Sequence, residues 1–406
     1  SSSSNPVSSQ IQLVEYSSLK GVRLTREEAS ALNDLGVASQ REGSPTRKRV
    51  LQVGPEYREG AYTLTASSVV GSVKLGDTQI SIVPKIGVGK TAFMLGYSLD
   101  EIRWRDEDLW QSSGDLLEAL VVPFVESVEA LVAGGLEEAY SEVEEVGSRP
   151  RGAIDFSWSG VGLPLPVRYR FDSFDVDTAA NRVLRAALLQ ILSVAGMSRL
   201  GGVHAMQLLD AFHGVPRLAP LDLDPFISSD RYKAPLDLAR MILDGSGIEP
   251  AKGETFSRSL LFDMNSIFEN FVVRVIAEHL EGAGFSVDSQ GRRFPRFLVD
   301  RRRLMVHPDF AIWSGGRCLL VGDVKYKLLN GSLRRTDLYQ AISYALATGA
   351  ETALLLYAGS GPDVQLTIPS TGTRVHAVPV SIDALSGREI AEVVVDAVRK
   401  DLAALD

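Results

Sequence analysis

The sequence predicts an α+β protein of several domains. We expect an N-terminal β-rich domain over residues 1–90, a mostly helical middle region over 91–254, and a C-terminal α/β domain over 255–406. The length of 406 residues is enough for two or three domains. Short apolar runs separated by Gly and Pro turn signals dominate the first part, whereas helical spacing of apolar residues dominates the middle. In the last part, helices alternate with apolar strands.

Composition indicates a soluble globular protein, with 45% hydrophobic and 23% charged residues. The single cysteine, Cys318, lies in an apolar run and excludes an internal disulfide, which fits a reducing cytoplasm. No apolar run is long enough to span a membrane. The first ten residues lack the charged and apolar regions of a signal peptide, so we expect a cytoplasmic protein.

The N-terminal domain begins with a predicted strand over residues 11–17 and a helix capped by Thr25, with Glu28 completing a capping box. Four short runs with strand character follow, at residues 48–54, 61–67, 69–76 and 78–85.

Residues 84–95, PKIGVGKTAFML, nearly match a phosphate-binding loop. The pattern requires a glycine where Pro84 stands, and no later apolar strand ends in the acidic pair of a second metal-binding motif. A loop ahead of a helix is therefore favoured over nucleotide binding by Gly87–Thr91.

In the middle region we predict a helical pair over residues 116–146 and a loop over 147–160. A helix capped by Asp177 or Thr178 follows, and another covers 231–245. Residues 247–255 are predicted to link this region to the C-terminal domain.

The C-terminal domain contains the candidate active site, beginning with two apolar runs joined by a Ser-Gly-Gly turn at residues 314–316. Asp309 precedes the first run. Asp323 and Lys325 lie two apart in the second, so their side chains point to the same face of a strand. A hairpin would bring Asp309 beside them. Two carboxylates and one ammonium at a strand end suit Mg²⁺-dependent phosphodiester hydrolysis.

Two helices flank this predicted hairpin. Glu269 lies on a helix within residues 262–280, either as a further acid facing the metal or as a solvated carboxylate. Downstream, Asp337, Gln340 and Tyr344 recur on one face of a second helix, where they would contact DNA, brace Lys325 or form structural hydrogen bonds.

A buried strand over residues 351–359, a hairpin over 364–382 and a helix over 388–405 complete the predicted C-terminal domain.

These residues carry a resemblance to a known family. Asp309 after a proline, the pair Asp323 and Lys325, and the helical Glu269 resemble the PD-(D/E)xK nuclease superfamily. The strings FDMNSIFENFV, GDVKYK and DLYQAISYA are similar, more narrowly, to McrC subunits of 5-methylcytosine-specific McrBC restriction complexes. The resemblance covers roughly residues 70 to 360 and implies a restriction-endonuclease-like C-terminal domain.

What the resemblance implies is specific. The expected catalytic residues are Asp309, Asp323, Lys325 and Glu269, with Gln340 and Tyr344 as supporting residues of the catalytic set. The three carboxylates among them would bind Mg²⁺. The expected partner is a hexameric McrB-like AAA+ GTPase, with GTP bound on that partner and not on this chain, and the N-terminal β-rich domain would dock on it.

Charge distribution supports a DNA partner despite a net charge of −9. Residues 255–406 contain equal numbers of basic and acidic side chains, so the whole negative balance lies in 1–254. A basic cluster just before the hairpin would neutralise phosphates, although a solvated edge strand is the alternative. The cluster consists of Arg292, Arg293, Arg296, Arg301, Arg302 and Arg303.

We therefore predict the DNA endonuclease subunit of a modification-dependent restriction system that stimulates its GTPase partner. Methylated double-stranded DNA is the expected substrate, with self-association of nuclease domains for double-strand cleavage. A non-catalytic adaptor that activates the GTPase and uses a nuclease-like fold to hold DNA is the alternative. The sequence specifies neither the modification nor the stoichiometry.

Overall fold

The computed structural model describes thirteen stretches of the chain, and every structural statement below refers to them. They are residues 9–39, 46–75, 78–97, 116–155, 166–194, 199–216, 229–250, 256–289, 296–299, 304–327, 329, 333–382 and 384–404.

Strands and helices are numbered in chain order. The strands are β1 Ser9–Val14, β2 Ser18–Arg23, β3 Gly36–Ser39, β4 Thr46–Arg49, β5 Leu51–Pro55, β6 Ala61–Ala66, β7 Val69–Leu75, β8 Thr78–Val83, β9 Ala139–Gly147, β10 Ala153–Ile154, β11 Val167–Asp175, β12 Ser246–Pro250, β13 Phe256–Asp263, β14 Ser286–Ser289, β15 Arg296–Val299, β16 Leu304–Val306, β17 Phe310–Ser314, β18 Arg317–Lys325, β19 Thr352–Ala358, β20 Val364–Thr367 and β21 Arg374–Val380. The helices are α1 Arg26–Asp34, α2 Val88–Tyr97, α3 Leu116–Ala133, α4 Ala179–Ser193, α5 Arg199–Leu209, α6 Asp230–Asp244, α7 Met264–Leu280, α8 Arg335–Thr348 and α9 Gly387–Ala403.

The chain forms two compact units, residues 1–119 together with 247–406, and residues 120–246. The predicted boundaries at 90 and 254 do not coincide with these units. The reason is the five-stranded sheet, whose order is β1-β8-β7-β13-β12. β12 and β13 come from the predicted linker and the start of the predicted nuclease domain, yet β13 pairs with β7 from Ser257↔Leu75 to Asp263↔Val69.

The first strand, the first helix and the four later β runs agree with the sequence prediction, whereas β2 and β3 were not predicted. Thr25 caps α1, and its side chain and that of Glu28 form both bonds of the capping box. The four predicted β runs correspond to β4 to β8. Their core contains apolar residues from α1, from the three-stranded sheet β2-β6-β5 and from the five-stranded sheet, including Leu32, Leu64 and Ile80.

The six-stranded C-terminal sheet has the order β14-β17-β18-β19-β21-β20. β17 and β18 form the predicted hairpin, while β18, β19 and β21 run parallel. All seven residues of β19 are buried, as predicted. Helix α8 packs on the face presented by Val321, Leu355 and Val375, and α7 and α9 also pack against this sheet.

The unit formed by residues 120–246 is less helical than predicted. The expected helical pair over 116–146 is wrong in its second half, because β9 occupies residues 139–147 and pairs antiparallel with β11. Glu142 and Glu144 form ion pairs with Arg170 and Arg168 across the ladder. Local sequence does not reveal these contacts, since glutamate is uncommon in strands.

His376 on β21 lies between two carboxylates. It is buried, its Nδ1 lies 2.9 Å from both oxygens of Asp401 on α9, and its Nε2 lies 3.3 Å from Asp363 Oδ2. The hydrogen bond to Asp401 raises the pKa of His376 above its usual value, although burial opposes this.

We expect His376 to make stability depend on pH. Because its folded-state pKa is raised, the imidazolium contributes stability fully below the ordinary histidine pKa and loses it as pH rises through the folded pKa. A His376→Gln variant should thus lose more stability at pH 5.5 than at pH 9, by about 1.5–3 kcal/mol for a hydrogen bond to a charged group. Urea unfolding at both pH values measures this, and Asp363→Asn, which removes the longer contact to the same histidine, should show a smaller pH-dependent loss. An equal loss at both pH values would contradict it.

Candidate functional site

The hairpin β17–β18 brings the predicted acids together. Gly315 and Gly316 have φ values of 56° and 81°, which permit the tight turn. The register pairs Phe310 with Gly322, so Asp309, just before β17, lies beside the end of β18. The backbone N–H of Val324 donates to Asp309 Oδ2 at 2.6 Å. The prediction that the hairpin brings Asp309 beside Asp323 is confirmed.

Gly322 allows the Phe310 ring to pack closely against β18. A Cβ at this position would lie 2.0 Å from the nearest atom of the Phe310 ring, because that ring packs directly over the strand. A side chain here would displace Phe310 and, with it, the adjacent Asp309. The glycine before Asp323 is therefore part of the local geometry of the site.

Asp323 and Lys325 project from the same face of β18, as their spacing predicts. Asp323 is buried at 2% exposure, and its Oδ2 forms an ion pair with Lys325 Nζ. The Lys325 side chain is 12% exposed. The Asp323 carboxylate beside it offsets part of the desolvation penalty of burying this side chain.

Helix α8 braces Lys325 from the other side. Gln340 Oε1 accepts from Lys325 Nζ at 3.0 Å, and Gln340 Nε2 donates to the hydroxyl of buried Tyr344 at 2.6 Å. This chain of hydrogen bonds fixes which way the amide points. The predicted role of Gln340 and Tyr344 as supporting residues thus has a structural basis.

Asp337, on the same helix, has a different partner. Its carboxylate accepts from Lys327 Nζ at 2.8 Å and from the hydroxyl of Tyr357 at 2.7 Å. Burial alone would raise the pKa of Asp337, but these two hydrogen bonds hold it below its usual range. Asp337 therefore ties the start of α8 to the segment after β18 and to β19.

Glu269 lies buried on α7, and its charge acts on Asp309. Burial raises the pKa of Asp309 well above its usual value, and the neighbouring charges of Asp323 and Glu269 raise it further. Two further carboxylates thus act on Asp309, and the opposing effect of Lys325 on its pKa is smaller.

Such an excess of negative charge suits a cation. Within the described ranges, no group of three or more His, Cys, Asp and Glu side chains is arranged to hold a metal ion. Mg²⁺ needs fewer protein ligands, because it takes one or two carboxylates and keeps several waters. Asp309 and Asp323 fit such an ion, whereas Glu269 lies outside a three-ligand group.

The predicted basic cluster is beyond what the structure describes. Arg292, Arg293, Arg301, Arg302 and Arg303 lie outside the described residues. Strand β15 begins at Arg296, whose side chain is not described either.

The side chains of the segment that resembles a phosphate-binding loop form hydrogen bonds within the protein. Lys90 Nζ donates to the carbonyl oxygen of Ile382 at 2.9 Å, and the hydroxyl of buried Thr91 donates to the carbonyl oxygen of Gly87 at 2.9 Å. These contacts occupy the groups that a phosphate loop presents to a nucleotide. They favour the interpretation as a loop ahead of α2.

Sequence reasoning missed the polar residues that join the N-terminal strands to the site. Tyr326, directly after Lys325, donates its hydroxyl to Glu15 Oε1 at 2.6 Å. Asp263, the N-cap of α7, accepts from Lys48 Nζ at 3.0 Å and from the hydroxyl of Ser68 at 2.7 Å. No sequence pattern links these partners, which are distant in the chain.

One comparison with known proteins identifies a family for this chain. The family described as McrBC 5-methylcytosine restriction system component matches residues 64–358. A search of curated proteins gives no match. No helix in the described stretches is long and apolar enough to cross a membrane.

Two solved structures from Thermococcus gammatolerans are similar to this chain. The first is the refined half-complex from a tetradecameric assembly of McrB AAA+ hexamers with bound McrC. It has a TM-score of 0.62 at 16% identity and covers 97% of this chain and 100% of that one. The second, a cryo-EM structure of the McrBC complex, has a TM-score of 0.43 at 19% identity and covers 67% of this chain and 88% of that one. At this identity, the first likeness shows the fold alone.

Proposed function

The chain belongs to the family of McrBC 5-methylcytosine restriction system components, and on that premise we propose that it is the endonuclease subunit of a modification-dependent restriction complex. The convergence of Asp309, Asp323 and Lys325 at the end of one hairpin carries this proposal. Family membership shows that the chain is a restriction-system component. The side chains of the site support the further proposal that it hydrolyses phosphodiester bonds.

Each side chain has a distinct task in phosphodiester hydrolysis. The Lys325 ammonium, aimed by Gln340, orients the attacking water or stabilises charge developing on the phosphate. Tyr344 keeps Gln340 in the orientation that accepts from Lys325. Glu269 adds negative charge beside Asp309 and strengthens the preference of the site for a cation.

We propose that Asp309 and Asp323 hold Mg²⁺. When bound, this ion lowers the pKa of a coordinated water and neutralises charge on the attacked phosphate. A bound divalent cation would also relieve the electrostatic repulsion between these two buried carboxylates.

A AAA+ GTPase is the proposed partner. One solved structure of similar fold contains McrC bound to McrB AAA+ hexamers. By analogy, this chain would dock on such a hexamer through parts of residues 1–254 and stimulate hydrolysis of GTP held by the partner. We propose that this complex acts in the cytoplasm.

The proposed substrate is double-stranded DNA carrying a modified base. The arginines between residues 292 and 303 would contact its phosphates before the hairpin that carries Asp309. Two copies of the nuclease acting together would cut both strands.

A reconstitution tests this function. The chain, the GTPase partner, GTP, Mg²⁺ and methylated DNA should together give cleavage, and omission of any component or chelation of Mg²⁺ should abolish it. Unmethylated DNA of the same sequence is the matched control. Full stimulation of GTP hydrolysis without any DNA cleavage would instead support the adaptor alternative.

A further inference from the structure

Glu15, directly after β1, is a buried carboxylate in contact with the segment that follows the catalytic strand. It is 3% exposed. Its Oε1 accepts from the hydroxyl of Tyr326 at 2.6 Å and from the backbone N–H of Lys85 at 3.0 Å. One oxygen atom thus joins β1, the end of β8 and the residue after Lys325, across 311 residues of sequence.

Tyr326 occupies a sharp bend of the backbone. The N–H of Lys327 donates to the carbonyl oxygen of Lys325 at 2.8 Å, which closes a turn centred on Tyr326. The Tyr326 ring packs beside Phe268, with centroids 5.9 Å apart, one residue before Glu269 on α7. The position of Tyr326 therefore determines where the backbone of Lys325 lies.

The residues on both sides of this bend reach the same helix. Lys325 Nζ binds Gln340, and Lys327 Nζ binds Asp337, both on α8. A shift of Tyr326 would move both lysines relative to α8. The hydroxyl of Tyr326 is thus attached to the one backbone segment that sets the Lys325–Gln340 contact.

Burying the Glu15 carboxylate here lowers the stability of the folded protein. Glu15 Oε2 is buried without a hydrogen-bond partner among the described residues, and such a group costs about 1–3 kcal/mol. Burial also raises the pKa of Glu15. The next residue, Tyr16, has a φ of 58°, a strained backbone conformation for a non-glycine residue. An apolar pair of similar volume would fill this space at lower cost.

Lys85 reinforces the same contact. Its Nζ lies 4.7 Å from the centroid of the Tyr326 ring, within the range of a cation–π interaction. Its backbone holds Glu15, as described above. Two contacts, from the residues that follow β1 and β8, therefore converge on Tyr326.

We infer that Glu15 is a positioning residue of the nuclease site, which acts through Tyr326 to hold Lys325 where it meets Asp323 and Gln340. This rests on the proposed function for its effect on cleavage, but not for its effect on Lys325 itself. The N-terminal part of the chain thereby helps to position a side chain of the nuclease site.

The test compares Glu15→Ala, Tyr326→Phe, their double variant and Glu15→Gln in the full chain with its partner. Glu15→Ala removes the acceptor and Tyr326→Phe removes the donor, so each should lower kcat for DNA cleavage about tenfold with KM unchanged. The double variant should lose no more than either single variant, because both remove one interaction. Glu15→Gln keeps an oxygen that accepts from Tyr326 and should retain near-normal kcat.

Asp401→Ala is the matched control. It also removes a buried carboxylate and a hydrogen bond from the same compact unit, but on α9, where Asp401 contacts His376. It should reduce thermal stability as Glu15→Ala does while leaving kcat unchanged. Equal losses of kcat in Asp401→Ala and Glu15→Ala would reduce Glu15 to a merely structural residue and overturn the inference.

A second readout does not need cleavage. Lys325 should be acetylated by acetic anhydride several-fold faster in Glu15→Ala and Tyr326→Phe than in wild type or Asp401→Ala, measured by mass spectrometry. Unchanged labelling of Lys325 would overturn the inference whether or not the wild type cuts DNA. If the wild type fails to cut DNA but Lys325 labels faster in both variants, the proposed function fails and the positioning of Lys325 by Glu15 stands.

Discussion

Replacing Asp323 by Asn should lower DNA cleavage by about a thousandfold or more, the scale on which groups acting as a unit lose activity. Asparagine has the same shape but loses the charge that pairs with Lys325 and would bind Mg²⁺. The same loss is expected for Asp309→Asn, whose carboxylate is fixed by the Val324 N–H. Single-turnover cleavage of methylated DNA with the GTPase partner present measures both.

The charge change, and not a folding defect, should account for this loss. Both variants should stay folded at the assay temperature, with near-ultraviolet circular dichroism like that of the wild type, and should stimulate GTP hydrolysis by the partner as the wild type does. Asp401→Asn, which neutralises a buried acid of α9 away from the hairpin, should cut DNA normally. Wild-type cleavage by Asp323→Asn would remove this residue from the catalytic set.

The site was predictable because its residues are close in the sequence or follow a regular spacing. The two-residue period of a strand places Asp323 and Lys325 together, and a Gly-Gly turn returns Asp309 to them. The helical period likewise places Gln340 and Tyr344 on one face of α8. Each inference needed only local geometry, and the structure shows the contacts that these patterns predict.

What sequence reasoning missed depends on pairings between distant segments. The contact of Glu15 with Tyr326 joins residues at opposite ends of the chain. The pairing of β13 with β7 leaves no local signal, because an apolar run before a helix suits many sheets. The division at residue 254 followed the composition of a linker, whereas the fold places β12 and β13 in the N-terminal sheet.

Because β13 pairs with β7 in the five-stranded sheet, residues 255–406 alone should not fold cooperatively. Separation from residues 1–254 would leave β13 without β7 and would expose Phe271, whose ring lies 6.0 Å from Phe93 and 5.2 Å from Tyr97 on α2. Each large apolar side chain exposed costs about 1.5–3 kcal/mol, and the net stability of a domain is only about 5–15 kcal/mol.

The loss of buried polar contacts adds to this deficit. Asp263 caps α7 and would lose Lys48 and Ser68, while Tyr326 would lose Glu15. A chain with a flexible linker in place of residues 120–246 keeps all of these partners and should unfold in one transition, since that segment forms its own compact unit. Calorimetry and near-ultraviolet circular dichroism compare the two. A sharp unfolding transition of the isolated 255–406 fragment, close to that of the full chain, would show that the N-terminal strands are dispensable for the nuclease fold.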